Sequence, residues 1–384
     1  TLVSVALAMM TFGLAALGLT SACSTGGGAL GPAAAAGVPD DLRPVANAGY
    51  DAWVASFKGR ASAQGISAST LAQGFNGAGY LPGVVKRDRN QTEFSRSLED
   101  YLAIAASDER ISKGRAAFAR HRSTLSAIES RYGVAAEIVA AVWGLESFFG
   151  ERRGNVPVVS ATSTLAYDGR RGAFFEKQLI AALKILQNGD ISADRLTGSW
   201  AGAMGHTQFI PTSYQAFAVD FTGDGRRDIW SEDPSDALAS TAAYLSRNDW
   251  TRGVKWGGEL GSIPASAGSV IQPQAGGPQF VVTSNFRALK RYNNSDSYAI
   301  GVGHLADRIA GGGPLRGSFP PDANGLTKDD RMALQQRLTA RGFDTDGTDG
   351  VIGPNSRKAI SAYQQSIGLP ATGEPSMDLL RRLQ

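Results

Sequence analysis

Residues 133–150 read GVAAEIVAAVWGLESFFG, and this stretch decides the fold of the chain around it. Its apolar residues recur at helical spacing and predict an amphipathic helix that buries one face against a core. The residues of this apolar stripe are Ile138, Val142, Leu145 and Phe149. Glu146 lies on the same side, and burial beside apolar side chains raises the pKa of a carboxylic acid, as a general acid requires.

The composition is typical of a globular protein with more than one domain. The chain has 384 residues, of which 42% are hydrophobic and 19% are charged. This length allows roughly two to three domains of ~150 residues. The formal net charge of +3 arises from interspersed basic and acidic residues, without the basic block of a nucleic-acid-binding protein. We therefore expect no nucleic-acid partner.

The N-terminal segment indicates export. Residues 1–22 are interpreted as a signal sequence because residues 2–22 are uncharged and mostly apolar. The only cysteine, Cys23, follows Ser21 and Ala22 and resembles the lipidated cysteine of a bacterial lipobox, with Thr20 where leucine is usual. A plain cleaved signal and a retained membrane anchor remain alternatives. All three place the protein outside the cytoplasm, and a single cysteine excludes an internal disulfide framework.

After a Gly- and Ala-rich tether at residues 23–49, residues 50–310 are predicted to form one mainly helical domain. One helical run over 114–132 leads through Gly133, a predicted cap, into the Glu146 helix. A further helix is predicted over 174–186, and short strands are expected around 280–282. Between them, SWAGAMGHTQFIPTSY at 199–214 is dense in small residues, which suits either a backbone that passes close to another group or tight helix packing.

Residues 220–230, DFTGDGRRDIW, follow the pattern of a calcium-binding loop. Oxygen-bearing side chains occupy the first, third, fifth and ninth positions, and Gly225 occupies the sixth. These side chains are Asp220, Thr222, Asp224 and Asp228. Ser231 stands at the twelfth position, where a bidentate Glu is usual, and Arg226 would contribute only its carbonyl oxygen. A structural calcium ion is predicted, and an Asp-Gly turn held by its own hydrogen bonds is the alternative.

The C-terminal part forms a separate module. Residues 311–325 are predicted to be a linker because their glycines and prolines do not sustain a helix. Residues 326–384 read as three short helices separated by Gly and Pro turns. They resemble the peptidoglycan-binding module of cell-wall enzymes. The DTDGTDG sequence at 344–350 also imitates a calcium loop, but ordinary Asp-Gly turns are the favoured interpretation.

Five blocks in order resemble the membrane-bound lytic murein transglycosylase B family, which cleaves bacterial peptidoglycan. They are VWGLESFFG at 142–150, STLAYDGRR at 163–171, GAMGHTQFIPTSY at 202–214, DFTGDGRRDIW at 220–230 and RYNNSDSYA at 291–299. The resemblance implies a mainly α, lysozyme-like catalytic domain with minor β structure over 50–310, followed by the small three-helix module. It also implies a monomeric periplasmic enzyme that binds glycan strands, anchored to the outer membrane of a Gram-negative bacterium if Cys23 is lipidated.

The resemblance assigns roles to particular residues. Glu146 would be the single general acid and base, and no cofactor would take part in catalysis. Asp236 would complete the ion shell. Gln208 would bond an acetamido group, Phe209 would stack on a sugar ring, and Asn293 would face Glu146. The full set of implied substrate-binding residues is Ser199, Met204, Gln208, Phe209, Tyr292, Asn293, Tyr298, Arg170 and Arg171, the two arginines meeting substrate carboxylates.

The sequence leaves two other functions open. A hydrolytic muramidase would use the same groove with a second carboxylate and water. A non-catalytic wall-binding lipoprotein would need no catalytic Glu146. Zinc hydrolase chemistry is disfavoured because His121, His206 and His304 lack metal-site spacing, and no G-x-S-x-G elbow indicates a serine hydrolase.

Overall fold

The computed structural model describes residues 38–90 and 96–384. The predicted signal sequence, Cys23 and residues 24–37 of the tether lie outside the described residues. The described part is mainly helical, as predicted, and none of its helices is long and apolar enough to cross a bilayer.

In chain order the helices are α1 Ala48–Ala63, α2 Ala68–Gly74, α3 Pro82–Arg89, α4 Leu98–Ala105, α5 Asp108–Arg120, α6 Arg122–Tyr132, α7 Ala136–Ser147, α8 Val158–Asp168, α9 Gly172–Gln187, α10 Pro211–Phe217, α11 Ser235–Arg247, α12 Ser284–Tyr292, α13 Asp296–Ile309, α14 Lys328–Ala340, α15 Pro354–Ser366 and α16 Met377–Arg382. The strands are β1 Val156–Pro157, β2 Thr197–Gly198, β3 Gly257–Glu259, β4 Ser269–Ile271 and β5 Phe280–Val282.

The described residues fall into two compact units. The core unit comprises residues 38–90 and 112–253, and the C-terminal unit comprises residues 96–111 and 254–384. The domain boundaries predicted from the sequence, at 50–310 and 326–384, stay a prediction.

Helix α7 lies at the centre of the core unit, packed against α6 and α11. The prediction of a single buried face is wrong, because α7 is buried on nearly every side and Leu145 is only half-buried. Small residues on the other faces, such as Ala140, Ala141 and Gly144, let neighbouring elements approach the helix closely. A helix that is apolar all round belongs in the interior, as observed here.

Two helices, α5 and α6, replace the single predicted run before α7. The chain turns at His121, and α6 then packs on both α7 and α11. Non-helical backbone at His121, with φ −106° and ψ 21°, separates the two helices. Gly133 ends α6 in the left-handed region at φ 73°, and its N–H donates to the Glu129 carbonyl over 2.8 Å, as the predicted cap requires.

The β structure is small and antiparallel. In the core unit, β1 pairs with β2 through Val156 opposite Gly198 and Pro157 opposite Thr197. In the C-terminal unit the strand order is β3-β5-β4, and β5 coincides with the strand predicted at 280–282.

The C-terminal unit joins α4, α12, α13 and its sheet to the three-helix module. Helices α14, α15 and α16 enclose an apolar core made by Leu326, Leu334, Leu338, Ile360, Tyr363, Leu379, Leu380 and Leu383. Helix α14 begins with a capping box in which Thr327 and Asp330 exchange hydrogen bonds. The segment 311–325 has neither helix nor strand. Within it, the N–H groups of Arg316 and Gly317 donate to the Glu259 carboxylate.

A buried arginine fixes the first turn of the three-helix module. Arg331 is 3% exposed, and its guanidinium donates to the carbonyls of Gly350 at 2.7 Å and Leu326 at 3.0 Å. It also lies 2.6 Å from a Glu99 carboxylate oxygen, and Asp100 and Asp322 are within 3.5 Å. These contacts join α14 to the start of α4.

Candidate active site

Glu146 lies in the last turn of α7, and the residue is 9% exposed. The helix ends immediately afterwards because Phe148 and Phe149 both adopt left-handed conformations, with φ of 53° and 59°. Such conformations are costly for large side chains and concentrate at functional sites, where surrounding contacts hold them. The end of α7 is therefore fixed by its surroundings.

Two residues that bracket Glu146 are bound by a single residue, His206. The Trp143 indole N–H donates to His206 Nδ1 over 3.0 Å, and the Ser147 hydroxyl donates to the His206 carbonyl over 2.6 Å. Ser147 also accepts from the Gly150 N–H at 2.9 Å. The helix end is thereby tied to the turn that contains His206.

The predicted groove residues of the core unit lie together on this turn. Met204 and Phe209 exchange backbone hydrogen bonds of 2.9 and 3.1 Å, and the Ser199 hydroxyl accepts from the Ala203 N–H at 3.1 Å. Glycine is required at Gly205, where a Cβ would lie 2.2 Å from the Ile229 carbonyl oxygen and φ is 69°. The expectation of close backbone approach is confirmed, and the approach here is to the protein's own chain.

Gln208 and Phe209 are more buried than residues on an open sugar surface. Gln208 is 3% exposed with φ of 53°, and its amide nitrogen donates to the carbonyls of Arg153 and Gly205. Phe209 is 2% exposed and its ring lies 6.0 Å from that of Tyr244. Met204 is fully buried and Ser199 is 6% exposed. These residues shape the turn itself.

The second predicted group belongs to the C-terminal unit. Tyr292 and Tyr298 stack with ring centroids 6.4 Å apart and planes at 10°. Asn293, between them in sequence, caps the C-terminal end of α12 and is 8% exposed. The placement of Asn293 opposite Glu146 stays a prediction.

Arg170 and Arg171 bind a carboxylate of the protein itself. Both donate to Asp88, which is 1% exposed; Arg170 does so at 2.6 and 3.0 Å. Burial would raise the pKa of Asp88, but the two guanidinium groups hold it below its ordinary value. This pairing favours a structural role for the arginines, and contact with substrate carboxylates stays a prediction.

The loop at 220–231 brings three carboxylates together. Oxygens of Asp220, Asp224 and Asp236 lie within 4.8 Å of one another, the one such group among the described residues. Asp236, at the start of α11, accepts from the N–H groups of Phe221, Thr222 and Asp228 at 2.9 to 3.1 Å. Burial raises the pKa of Asp236 despite these donors. Oxygen ligands of this kind suit a hard cation such as Ca²⁺.

The other predicted ligands are arranged differently. The Thr222 hydroxyl donates to Asp220 at 3.4 Å. Asp228 accepts from the N–H groups of Trp230 and Ser231 at 2.9 and 3.0 Å and lies 3.8 Å from Arg195, so it closes the end of the loop. Arg226 is exposed, and its N–H donates to Asp224 at 2.9 Å.

Sequence reasoning did not find His206 and Arg153. His206 lies 63 residues from Trp143, so no local spacing reveals their contact. Arg153 Nη1 donates to the carbonyls of Trp230 and Ser231 at 2.9 and 2.8 Å, at the end of the loop at 220–231. The one signal in the sequence was that His206 stands inside a turn of small residues.

Comparison with known proteins places these features in a family. Residues 49–267 and 261–307 match the transglycosylase SLT domain, and residues 327–383 match the putative peptidoglycan binding domain. Over 211 residues the chain is 32% identical to membrane-bound lytic murein transglycosylase B of Escherichia coli K12, a match covering 47% of this chain and 58% of that protein. The chain thus spans less than two thirds of that relative's length.

Solved structures are similar over most of the chain. SltB3 from Pseudomonas aeruginosa in complex with NAG-anhNAM-pentapeptide is 42% identical with a TM-score of 0.68, covering 88% of this chain and 100% of that one. The Escherichia coli lytic transglycosylase SLT35 in complex with calcium is 25% identical with a TM-score of 0.59, covering 69% of this chain and 93% of that one. The chain, mainly helical with a lysozyme-like core, belongs to the transglycosylase SLT family and carries a C-terminal peptidoglycan-binding domain.

Proposed function

We propose that this protein is a lytic transglycosylase that cleaves the β-1,4 bond between N-acetylmuramic acid and N-acetylglucosamine without water and forms 1,6-anhydromuramic ends. The observation that carries the proposal is a carboxylic acid, Glu146, buried at the fixed end of α7 inside a transglycosylase SLT domain. A relative that is 42% identical was solved with NAG-anhNAM-pentapeptide, which contains such an anhydro sugar.

In the proposed reaction Glu146 acts twice. As an acid it protonates the glycosidic oxygen, and the bond from that oxygen to the anomeric carbon breaks. As a base it then takes the proton of the muramic C6 hydroxyl, whose oxygen attacks the same anomeric carbon and closes the anhydro ring. Glu146 ends protonated as it began, and the two products together have the mass of the substrate. Because the attacking hydroxyl belongs to the reacting sugar, its effective concentration replaces a positioned water.

The surroundings of α7 support a mechanism with one carboxylate. Glu151, the acidic residue nearest in sequence after Glu146, lies at the surface and pairs with Lys113 at 2.7 Å. Glu232 is exposed and pairs with Arg153. Both carboxylates are engaged by basic side chains, which suits them poorly to act as a nucleophile.

Substrate contacts are proposed in two groups. In the core unit, Gln208 uses its amide nitrogen within the turn, so its Oε1 would accept from an acetamido N–H. In the C-terminal unit, the stacked rings of Tyr292 and Tyr298 would line the path of a glycan strand, with Asn293 beside them. The domain at 327–383 would hold the strand during cleavage. The protein would act in the periplasm, as a monomer tethered to the outer membrane through lipidated Cys23.

The test is product analysis on purified peptidoglycan. Wild-type protein should release fragments that are lighter than hydrolysis products by one water and lack reducing ends. Glu146→Gln should lower the rate by roughly 10²- to 10⁴-fold, the range for loss of a general acid or base. Glu151→Gln, at the surface a few residues away, is the matched control and should retain activity. Reducing ends in the wild-type products would establish a muramidase instead, and binding without any cleavage would establish a wall-binding protein.

We further propose a structural Ca²⁺ ion at 220–236, held by Asp220, Asp224 and Asp236. The three carboxylates converge although each would repel the others, and a dication would offset that repulsion. Thr222, Asp228 and the Arg226 carbonyl would complete or support the site. A relative that is 25% identical was solved in complex with calcium. The ion would fix the loop and take no step in the reaction.

Calorimetry and thermal unfolding test this site. Calcium at 100 times its dissociation constant should stabilise the protein by about 2.7 kcal/mol. Asp236→Asn should abolish the heat of binding and the shift in Tm. Asp344→Asn, in the other Asp- and Gly-rich loop, should leave both unchanged. An unaltered Tm on adding calcium to chelator-treated protein would contradict the proposal.

A further inference from the structure

His206 has both of its ring nitrogens engaged at a buried position. The residue is 3% exposed, Nδ1 lies 3.0 Å from the Trp143 indole nitrogen, and Nε2 lies 2.7 Å from the Ser231 carbonyl oxygen. An indole N–H only donates and a carbonyl only accepts, so Nδ1 must accept and Nε2 must carry the proton. The contacts therefore assign the neutral ring with its proton on Nε2.

The charges around the ring favour this neutral form. Arg153 Nη1 lies 3.3 Å from Nε2, and burial lowers the pKa of His206 while the Ser231 carbonyl, Glu232 and Asp228 oppose that change. A protonated ring would also present a donor to the Trp143 N–H, which is itself a donor. The acceptor for Trp143 is thus maintained by the environment of the ring.

The same residue holds α7 on both sides of Glu146. Its side chain binds Trp143, one turn before Glu146, and its carbonyl accepts from Ser147, the next residue. Gly150 leaves room for the ring, since a Cβ there would lie 2.6 Å from Nδ1. The Trp143 ring is enclosed further by the rings of His121 at 5.5 Å and Phe149 at 5.7 Å.

On its other side His206 is bound to Ser231, at the end of the loop at 220–231. Ser231 and Trp230 present their carbonyls to the Arg153 guanidinium, and the Ser231 N–H donates to Asp228. His206 therefore lies between the loop and α7 and contacts both through fixed hydrogen bonds.

We infer that His206 is a positioning residue, which orients Glu146 by accepting the Trp143 hydrogen bond, while its Nε2–H bond to the Ser231 carbonyl contributes stability. This inference rests on the proposed role of Glu146. Orientation of a catalytic acid affects the chemical step more than substrate binding, because small displacements of a reacting group lower its rate of attack steeply.

Two variants of His206 test the roles of its two ring nitrogens separately. His206→Asn places an amide oxygen near the position of Nδ1 and retains the acceptor for Trp143, whereas His206→Gln places an amide nitrogen near Nε2 and retains the donor for Ser231. Trp143→Phe removes the indole donor with His206 intact. We expect His206→Gln and Trp143→Phe each to lower kcat roughly tenfold with KM unchanged. His206→Asn should keep kcat within about twofold of wild type and lose only thermal stability.

The double variant completes the test. If the Trp143 bond carries the effect, combining Trp143→Phe with His206→Gln should lower kcat no further than either single change. The indole ¹H–¹⁵N signal of Trp143, assigned by its loss in Trp143→Phe, should stay near its wild-type shift in His206→Asn and move in His206→Gln.

Several results would overturn the inference. A wild-type kcat in Trp143→Phe would do so even if a His206 variant failed to fold. Equal losses of kcat in His206→Asn and His206→Gln would show a purely structural role. Failure of the proposed function is separately visible, because the wild-type protein would then release reducing ends or no fragments at all, whatever the His206 variants do.

Discussion

Glu146 at the end of α7 and Arg331 in the C-terminal unit are both buried ionisable side chains, but their surroundings hold them differently. Around Glu146, left-handed residues and hydrogen bonds to neighbouring residues fix the backbone. Around Arg331, two carbonyls and three carboxylates bind the charge itself. A carboxyl group with the acid and base role that we propose for Glu146 requires a fixed position, whereas a permanent charge requires saturated partners. This is the difference expected between the proposed catalytic site and a site that serves stability.

The largest expected effect on stability is at Arg331. Arg331→Met should lower the free energy of unfolding by about 3 kcal/mol, because it leaves buried carbonyls and the Glu99 carboxylate without their donor. Denaturant unfolding of the full chain, followed at the C-terminal unit by hydrogen exchange, measures this. Arg381→Met, at an exposed arginine of α16, is the control.

Glu146→Gln provides the contrast for that experiment. It should leave stability unchanged or raise it slightly, because a neutral amide is cheaper to bury than a carboxylate. A loss of stability as large as that of Arg331→Met would contradict the claim that Glu146, unlike Arg331, does not stabilise the fold.

A smaller effect on stability is expected from His304, a third buried ionisable group, when the pH is lowered. Burial, aided by Arg308 and opposed by Glu259, lowers the pKa of His304 to about 4. The unfolded chain takes up this proton near pH 6.5, so stability falls as the pH drops from there towards 4. Between pH 7 and pH 4.5 the loss from His304 should be roughly 2 kcal/mol.

His304→Leu should remove that part of the acid sensitivity and leave the part due to His206, whose pKa burial also lowers. Unfolding curves at both pH values for the two proteins give the difference. An equal loss in wild type and His304→Leu would show that folding does not lower the pKa of His304.

The smallest effect should come from an exposed ion pair in the same module as Arg331. Arg357 pairs with Glu374, and their side chains are 46% and 56% exposed. Arg357→Met should change the unfolding free energy by about 0.5 kcal/mol or less, and salt should reduce even that. A change approaching that of Arg331→Met would mean that burial does not decide the strength of these pairs.

Much of the fold could be predicted from local signals. The Gly133 cap, the helix starting at Gly172 and the three helices of the C-terminal module follow from periodicity and from Gly and Pro positions. The break at His121 could not, since nothing local distinguishes 114–132 from one continuous helix. The nearly complete burial of α7 could not either, because its small residues become buried only when α6 and α11 pack against them.

By itself, the sequence determined the position of Glu146 in a helix, the order of the family blocks and the acidic loop at 220–228, because each depends on residues close together in the chain. Only the tertiary structure decided that Asp88 holds Arg170 and Arg171 and that His206 binds Trp143, and it placed Asp236, which the family resemblance had implied, within 4.8 Å of Asp220 and Asp224. These contacts join residues 12 to 83 positions apart. Spacing along the chain does not predict these contacts, because the packing of whole helices and loops brings such side chains together.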